Sequence, residues 1–190
     1  MPQPDRVMAL PVPEIAAMEG DAKALFDKCM ERFGMVPNVL RAYSVKPKKL
    51  MNFIRLYNEI MLGESGLSKL EREMIAVVVS SVNRCYYCLV AHGQATRQLS
   101  ADPQLSELLG MNHRVAELGP RQRAMLDFAW KLAETPYQVG EADREALRKA
   151  GFSNDDIFDI CDVVGFFSMS NRMASGLEIM PNPEYHRLDR

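Results

Sequence analysis

Eleven prolines divide this chain into pieces whose internal spacing is helical. Proline fixes φ and lacks an N–H, so it opens or stops a helix but does not continue one. Four prolines fall between Met1 and Pro13, which predicts an extended arm over residues 1–13. Glu14 to Phe33 carries Ile15, Met18, Ala22, Leu25, Phe26, Cys29, Met30 and Phe33 on one side. Gly34 suits a C-terminal cap there, and Pro37 prevents resumption. Pro47 to Leu62 is amphipathic through Leu50, Phe53, Ile54, Tyr57, Ile60 and Met61. Ser68-Lys69-Leu70-Glu71 has the form of a capping box and opens a helix to Val82. The later part of that segment is β-branched enough for a buried strand, but the cap, the acidic first turn and the length favour a helix. Asn83 is expected to break the chain and recap it, giving a helix from Cys85 to Gln98. Further helices are expected from Asp102-Pro103 to about Asn112, Pro120 to Glu134, Glu141 to Ala150, and Ser153 to about Gly176. Pro181 and Pro183 make residues 179–190 an irregular tail. About eight helices and no convincing strand define an all-α class, with a single domain over residues 14–178. A weak internal echo sets Leu67-Ser68, Arg72, Met74 and Ile75 against Leu118-Gly119, Arg123, Met125 and Leu126, as an old duplication or by chance.

At 190 residues the chain can bury the core of one domain. Its net charge of −2, with signs interspersed, leaves no basic footprint for nucleic acid or an anionic membrane. Met-Pro-Gln-Pro-Asp-Arg lacks the build of a signal peptide, and the apolar run Met74 to Val79 is far shorter than a membrane span. A cytoplasmic, reducing location is the expectation. In that setting a CxxC points to catalysis or metal rather than a structural staple.

Asn83-Arg84-Cys85-Tyr86-Tyr87-Cys88-Leu89-Val90-Ala91-His92 holds such a pair. On a helix Cys85, Cys88 and His92 share one face, within about 60° of arc. The arrangement fits a redox pair, a partial metal site or an activated nucleophile. Two devices raise the thiolate fraction and point to different nucleophiles. A helix first turn favours an anion at Cys85, whereas His92 is spaced to take a proton from Cys88. The base favours Cys88 as nucleophile, with Cys85 as the resolving thiol. Glu73, on the preceding helix beside Ala76, Val77 and Ser80, is the candidate relay behind His92; it also suits a charge that complements the helix N-terminus. A zinc site would add Cys29, Cys161, His113 or His186 as a fourth donor, but C-x2-C-x3-H on one helix is not the usual structural-zinc spacing. Haem attachment needs His directly after the second cysteine, and residue 89 is Leu. Cys29 and Cys161 read as buried inert thiols, Phe128 and Trp130 as core, and His113 and His186 as surface residues. Arg172, inside a mostly apolar helix, would need an acid partner if buried, at a subunit interface or at Glu73.

Taken together, Glu73, eleven residues, Cys85-x-x-Cys88, three residues and His92 resemble the signature of the alkylhydroperoxidase D (AhpD)-like family, within the carboxymuconolactone decarboxylase superfamily. The peroxidase-related branch is also similar at Gly-Met-Val-Pro-Asn (34–38), Leu-Ser-x-x-Glu-Arg-Glu (67–73), Ala-His-Gly (91–93) and Asn-Arg-Met-Ala (171–174). The resemblance implies an all-helical bundle and a homo-oligomer built from dimers, with a trimer or hexamer as larger forms. It implies hydroperoxide reduction without haem or flavin, and neither a cofactor nor a metal is expected. Cys88 would be peroxidatic, Cys85 resolving, and His92 and Glu73 the proton relay. The cycle would pass through a Cys88 sulfenic acid and a Cys85–Cys88 disulfide, reopened by a dithiol donor such as a lipoyl-bearing or thioredoxin-like protein. Relatives often carry His before the second cysteine; here that position is Tyr87, a candidate substrate contact. Two other classes compete. One is a decarboxylase-like acid–base enzyme with idle thiols. The other is a non-enzymatic disulfide-based sensor or scaffold.

Overall fold

A computed structural model of the chain describes residues 3–190. Among the described residues there are nine α-helices and no strand. They are α1 (Gly20–Phe33), α2 (Asn38–Tyr43), α3 (Pro47–Leu62), α4 (Lys69–Val82), α5 (Tyr86–Ser100), α6 (Leu105–Asn112), α7 (Pro120–Glu134), α8 (Glu141–Lys149) and α9 (Asn154–Gly176).

Helix α4 is the axis of the bundle. It packs against α3, α5, α6, α7 and α9, and Met74 to Val79 are all fully buried. Apolar residues all round a helix require neighbours all round it, which is why β-branched content here does not signal a strand. The Ser68 box starts α4, with Glu71 N donating to Ser68 Oγ at 3.1 Å and Ser68 N donating to Glu71 Oε2 at 2.8 Å. Ser153 and Asp156 repeat the device at α9. Gly34 ends α1 with φ +68°, a left-handed cap that glycine adopts without strain.

The repeat of residues 67–75 at 118–126 has a structural counterpart. Arg72 on α4 donates to the carbonyls of Ile60 and Gly63, both at 3.0 Å, at the end of α3. Arg123 on α7 donates to those of His113 and Ala116, at 2.8 and 2.5 Å, just past α6. Each arginine ties its helix to backbone carbonyls at or just past the end of the preceding one.

Several expectations need correction. The segment from Glu14 is not one helix: a 3₁₀ turn (Ile15–Ala17) precedes extended Met18 and Glu19, and α1 begins at Gly20, whose φ is +55°. Helix α2 was not expected, because six residues give too little periodicity; Asn182 Oδ1 accepts from the Asn38 N–H at 2.7 Å and supplies its cap from the far end of the chain. His113 is not a surface residue. It is 1% exposed, with its ring over Trp130 and Nε2 2.8 Å from Asp127 Oδ1. Arg172 is exposed and donates to Ser168 O on its own helix, not to Glu73.

Both chain ends reach the CxxC. Ala9 N donates to Leu177 O at 2.8 Å, and Met180 N to Val7 O at 2.9 Å. This pairing seats Met8 and Ile179 in a small apolar cluster with Ala42, Cys85, Tyr87, Cys88 and Ala174. The tail adds a 3₁₀ turn (Pro183–His186), where buried Arg97 of α5 donates to the carbonyls of Tyr185 and Leu188. Among the described residues, no helix is long and apolar enough to cross a membrane.

Candidate functional site

Asn83 caps the end of α4 rather than the start of α5. Arg84 follows with φ +51°, and the N-cap of α5 is Cys85 itself, with extended backbone. Cys85 therefore stands just ahead of the first turn instead of inside it, facing unpaired N–H groups of the helix start. Cys88 sits one turn in. Both thiols are buried, at 2% and 1% exposure, and no disulfide joins them.

The two thiols bear on each other's ionisation, and unequally. The Cys88 thiol hydrogen-bonded to Cys85 holds the Cys85 thiol down at about 6, helped against burial by the Cys88 backbone N–H, the Ser175 hydroxyl and the charge of His92. The same bond to Cys85, together with burial, pushes Cys88 well above the ordinary thiol range, while Asn171 and Ser170 act in the opposite direction. Within the pair, ionisation is thus easier at Cys85 than at Cys88. The spacing of His92 points to Cys88 as nucleophile, while the hydrogen bond from Cys88, with the backbone N–H groups at the helix start, favours ionisation of Cys85.

Glu73 and His92 do meet. The three-residue link between α4 and α5 lays the helices side by side, and His92 Nδ1 donates to Glu73 Oε2 at 2.7 Å. Their side chains are 13% and 9% exposed. The bond fixes the orientation of the ring, with Nδ1 held by Glu73 and Nε2 left to exchange a proton with other groups. Phe167 of α9 braces the ring edge-on, with centroids 4.5 Å apart. Tyr87 is placed differently from a substrate contact. It is 4% exposed, its hydroxyl accepts from the Val39 N–H at 3.2 Å and hydrogen-bonds Tyr185, and so it ties α5 to α2 and to the tail.

Among the described residues, no three His, Cys, Asp or Glu side chains converge as a metal-binding group. Sequence reasoning gave no role to Ser170, Asn171 and Ser175 of α9, which surround the thiols. The available signal was polar side chains recurring inside a mostly apolar helix.

Reactivity should follow the paired thiols. Alkylation needs thiolate, and acid protonates it, so the rate for the native pair should fall as pH drops through about 6. Roughly a tenfold decrease is expected between pH 7 and pH 5. Site-resolved iodoacetamide labelling measures it, and a midpoint near the free-thiol value of about 8.5 would show that Cys85 does not hold the charge.

Comparison with known proteins identifies the family. The profile of the carboxymuconolactone decarboxylase family matches residues 48–131, and no match was found among curated proteins. The crystal structure of an uncharacterized peroxidase-related protein from Silicibacter sp. TM1040 is 56% identical over 100% of both chains, with a TM-score of 0.95. An alkylhydroperoxidase AhpD core protein from Ralstonia eutropha JMP134, also uncharacterized and peroxidase-related, is 39% identical over 98% of each chain, with a TM-score of 0.95. The debrominase Bmp8, solved with 2,3,4-tribromopyrrole, is 15% identical over 97% of this chain and 95% of its own, with a TM-score of 0.78; that likeness concerns the fold alone. With matches of this extent to peroxidase-related and AhpD-core proteins, and a family profile covering α3 to α7, the chain belongs to the AhpD-like group of the carboxymuconolactone decarboxylase superfamily.

Proposed function

We propose that this protein is a thiol-dependent peroxidase. The observation that carries the reading is a pair of free, buried thiols at the start of α5, with the His92–Glu73 hydrogen bond one helical turn beyond Cys88. Cys88 attacks a hydroperoxide oxygen after its proton passes to Cys85. The O–O bond breaks, and His92, as an imidazolium held by Glu73, supplies the proton that makes the leaving group an alcohol or water. Cys88 is left as a sulfenic acid. Cys85 then attacks that sulfur, its thiol proton leaves with the hydroxide as water, and a Cys85–Cys88 disulfide forms. An external dithiol, on a lipoyl-bearing or thioredoxin-like partner, takes the two oxidising equivalents and restores the pair. Met8 and Ile179 cover the thiols, so small hydroperoxides are the substrates that reach them with least rearrangement. Assembly into a homo-oligomer belongs to the same proposal.

A decarboxylase-like reaction would use His92 and Glu73 and leave the thiols idle, but it gives no role to an ionised cysteine beside them. Treatment with one equivalent of hydrogen peroxide tests the choice. The intact mass is expected to fall by two hydrogens, with Cys85 and Cys88 both lost to alkylation and both recovered on reduction. Continued peroxide consumption with both thiols still free throughout would overturn the reading.

A further inference from the structure

Asn171 lies within α9 at 1% exposure, and its amide is oriented by two neighbours on the end of α4. Asn83 Nδ2 donates to Asn171 Oδ1 at 3.0 Å, and Asn171 Nδ2 donates to Ser80 Oγ at 3.0 Å. Ser80 can only accept there, because its own hydroxyl donates to Ala76 O at 2.7 Å. Asn83 presents its amino group, which also donates to Val79 O at 3.0 Å. Flipping the Asn171 amide would set oxygen against a committed hydroxyl and one amino group against another, so its orientation is determined. One Nδ2–H is left over, and a buried donor needs a partner. Ala174, one turn along the same face of α9, packs with Cys85 and Cys88. That face therefore looks onto the thiols, where Asn171 and Ser170 bear on Cys88.

We propose that Asn171, aimed by Ser80 and Asn83, is a positioning residue whose remaining N–H stabilises negative charge on the Cys88 sulfur and so sets how ionisation is divided between Cys88 and Cys85. An amide neither gains nor loses a proton as the thiols titrate, so its influence acts at every working pH. The N-cap favours charge on Cys85; Asn171 is the opposing device that brings the Cys88 thiolate within reach. The inference rests on reading Cys85 and Cys88 as a working dithiol, but it concerns ionisation, which is measurable without turnover.

The experiment follows the rate of iodoacetamide alkylation at Cys88 against pH, resolved by peptide mass spectrometry, in a Cys85→Ser background where this sulfur titrates without its partner. Adding Asn171→Leu should raise the midpoint by about one unit, a tenfold lower thiolate fraction below it. Asn171→Asp should raise it further, because it places an acceptor and a negative charge where the donor was. Ser80→Ala, which lets the amide turn, should give a smaller shift in the same direction. If Asn171→Leu fails to fold by circular dichroism, Asn171→Asp decides alone, since it keeps the size and the acceptor for Asn83. An unchanged midpoint in the folded Asp variant overturns the inference, even if peroxide turnover is lost. A midpoint that moves while the native protein shows no peroxide turnover retains the inference and overturns the peroxidase reading.

Discussion

Cys88→Ser is expected to abolish catalytic peroxide consumption, a loss of about 10³-fold or more, since residues acting as one unit fail together when the nucleophile is removed. Cys85→Ser should behave differently. It retains the attacking sulfur and loses the resolving one, so each chain should consume one peroxide and stop with a sulfenic acid at Cys88, which dimedone traps. The contrast matters because the Cys85 thiol, at the N-cap of α5, ionises more readily than that of Cys88. Attack by Cys88 requires its proton to cross to Cys85 first. That transfer passes between the two sulfurs and leaves Cys85 carrying the proton that later departs as water. If Cys85 were the attacking residue, the outcomes would exchange: Cys88→Ser would keep full consumption and trap the sulfenate at Cys85. Dimedone labelling of both variants under the same peroxide pulse distinguishes the two.

Phe167→Ala should be the most damaging change away from the sulfurs. Phe167 is 1% exposed on α9, edge-on to His92 and at 84° to Phe166, with centroids 5.3 Å apart in the second case. Removing a buried phenyl ring costs about 3–5 kcal/mol, from lost burial plus the cavity left behind. For a chain of this size each kcal/mol lowers the melting temperature by about 2–4 °C, so a fall of roughly 10 °C is expected. Phe167→Leu should recover much of the loss, because it refills part of the volume. Urea unfolding measures both variants, and a loss below about 1 kcal/mol for the alanine variant would mean that neighbours collapse into the space. In the alanine variant His92 also loses one wall, so turnover should fall even at temperatures where the protein stays folded.

The two serine capping boxes, the Gly34 stop and the proline starts at Pro47 and Pro120 all occur as their local chemistry predicts. Each needs only groups within one turn of helix, so composition at fixed spacing is enough. The misplacements have the opposite character. Helix α2 depends on a cap from Asn182, and His113 is buried because Arg123 grips its carbonyl and Trp130 covers its ring. The start of α5 moved because Arg84 adopts a left-handed conformation that non-glycine residues seldom take unless their surroundings impose it.

The candidate site divides along the same line. That Cys88 and His92 share a helical face follows from their spacing, since 3.6 residues per turn leave them no other arrangement, whereas Cys85 is placed by the extended N-cap ahead of α5. Glu73 was a candidate on residue type and position alone; its 2.7 Å bond to His92 exists because a short link packs α5 along α4. Which sulfur holds the charge, and that Asn171 faces Cys88, depend on where α9, the N-terminal arm and the tail close over the pair. Spacing determines contacts within one helix, where the backbone sets the distances. Contacts between helices form only when the whole core settles on one packing, and in this protein the ionisation of the dithiol is set by those contacts.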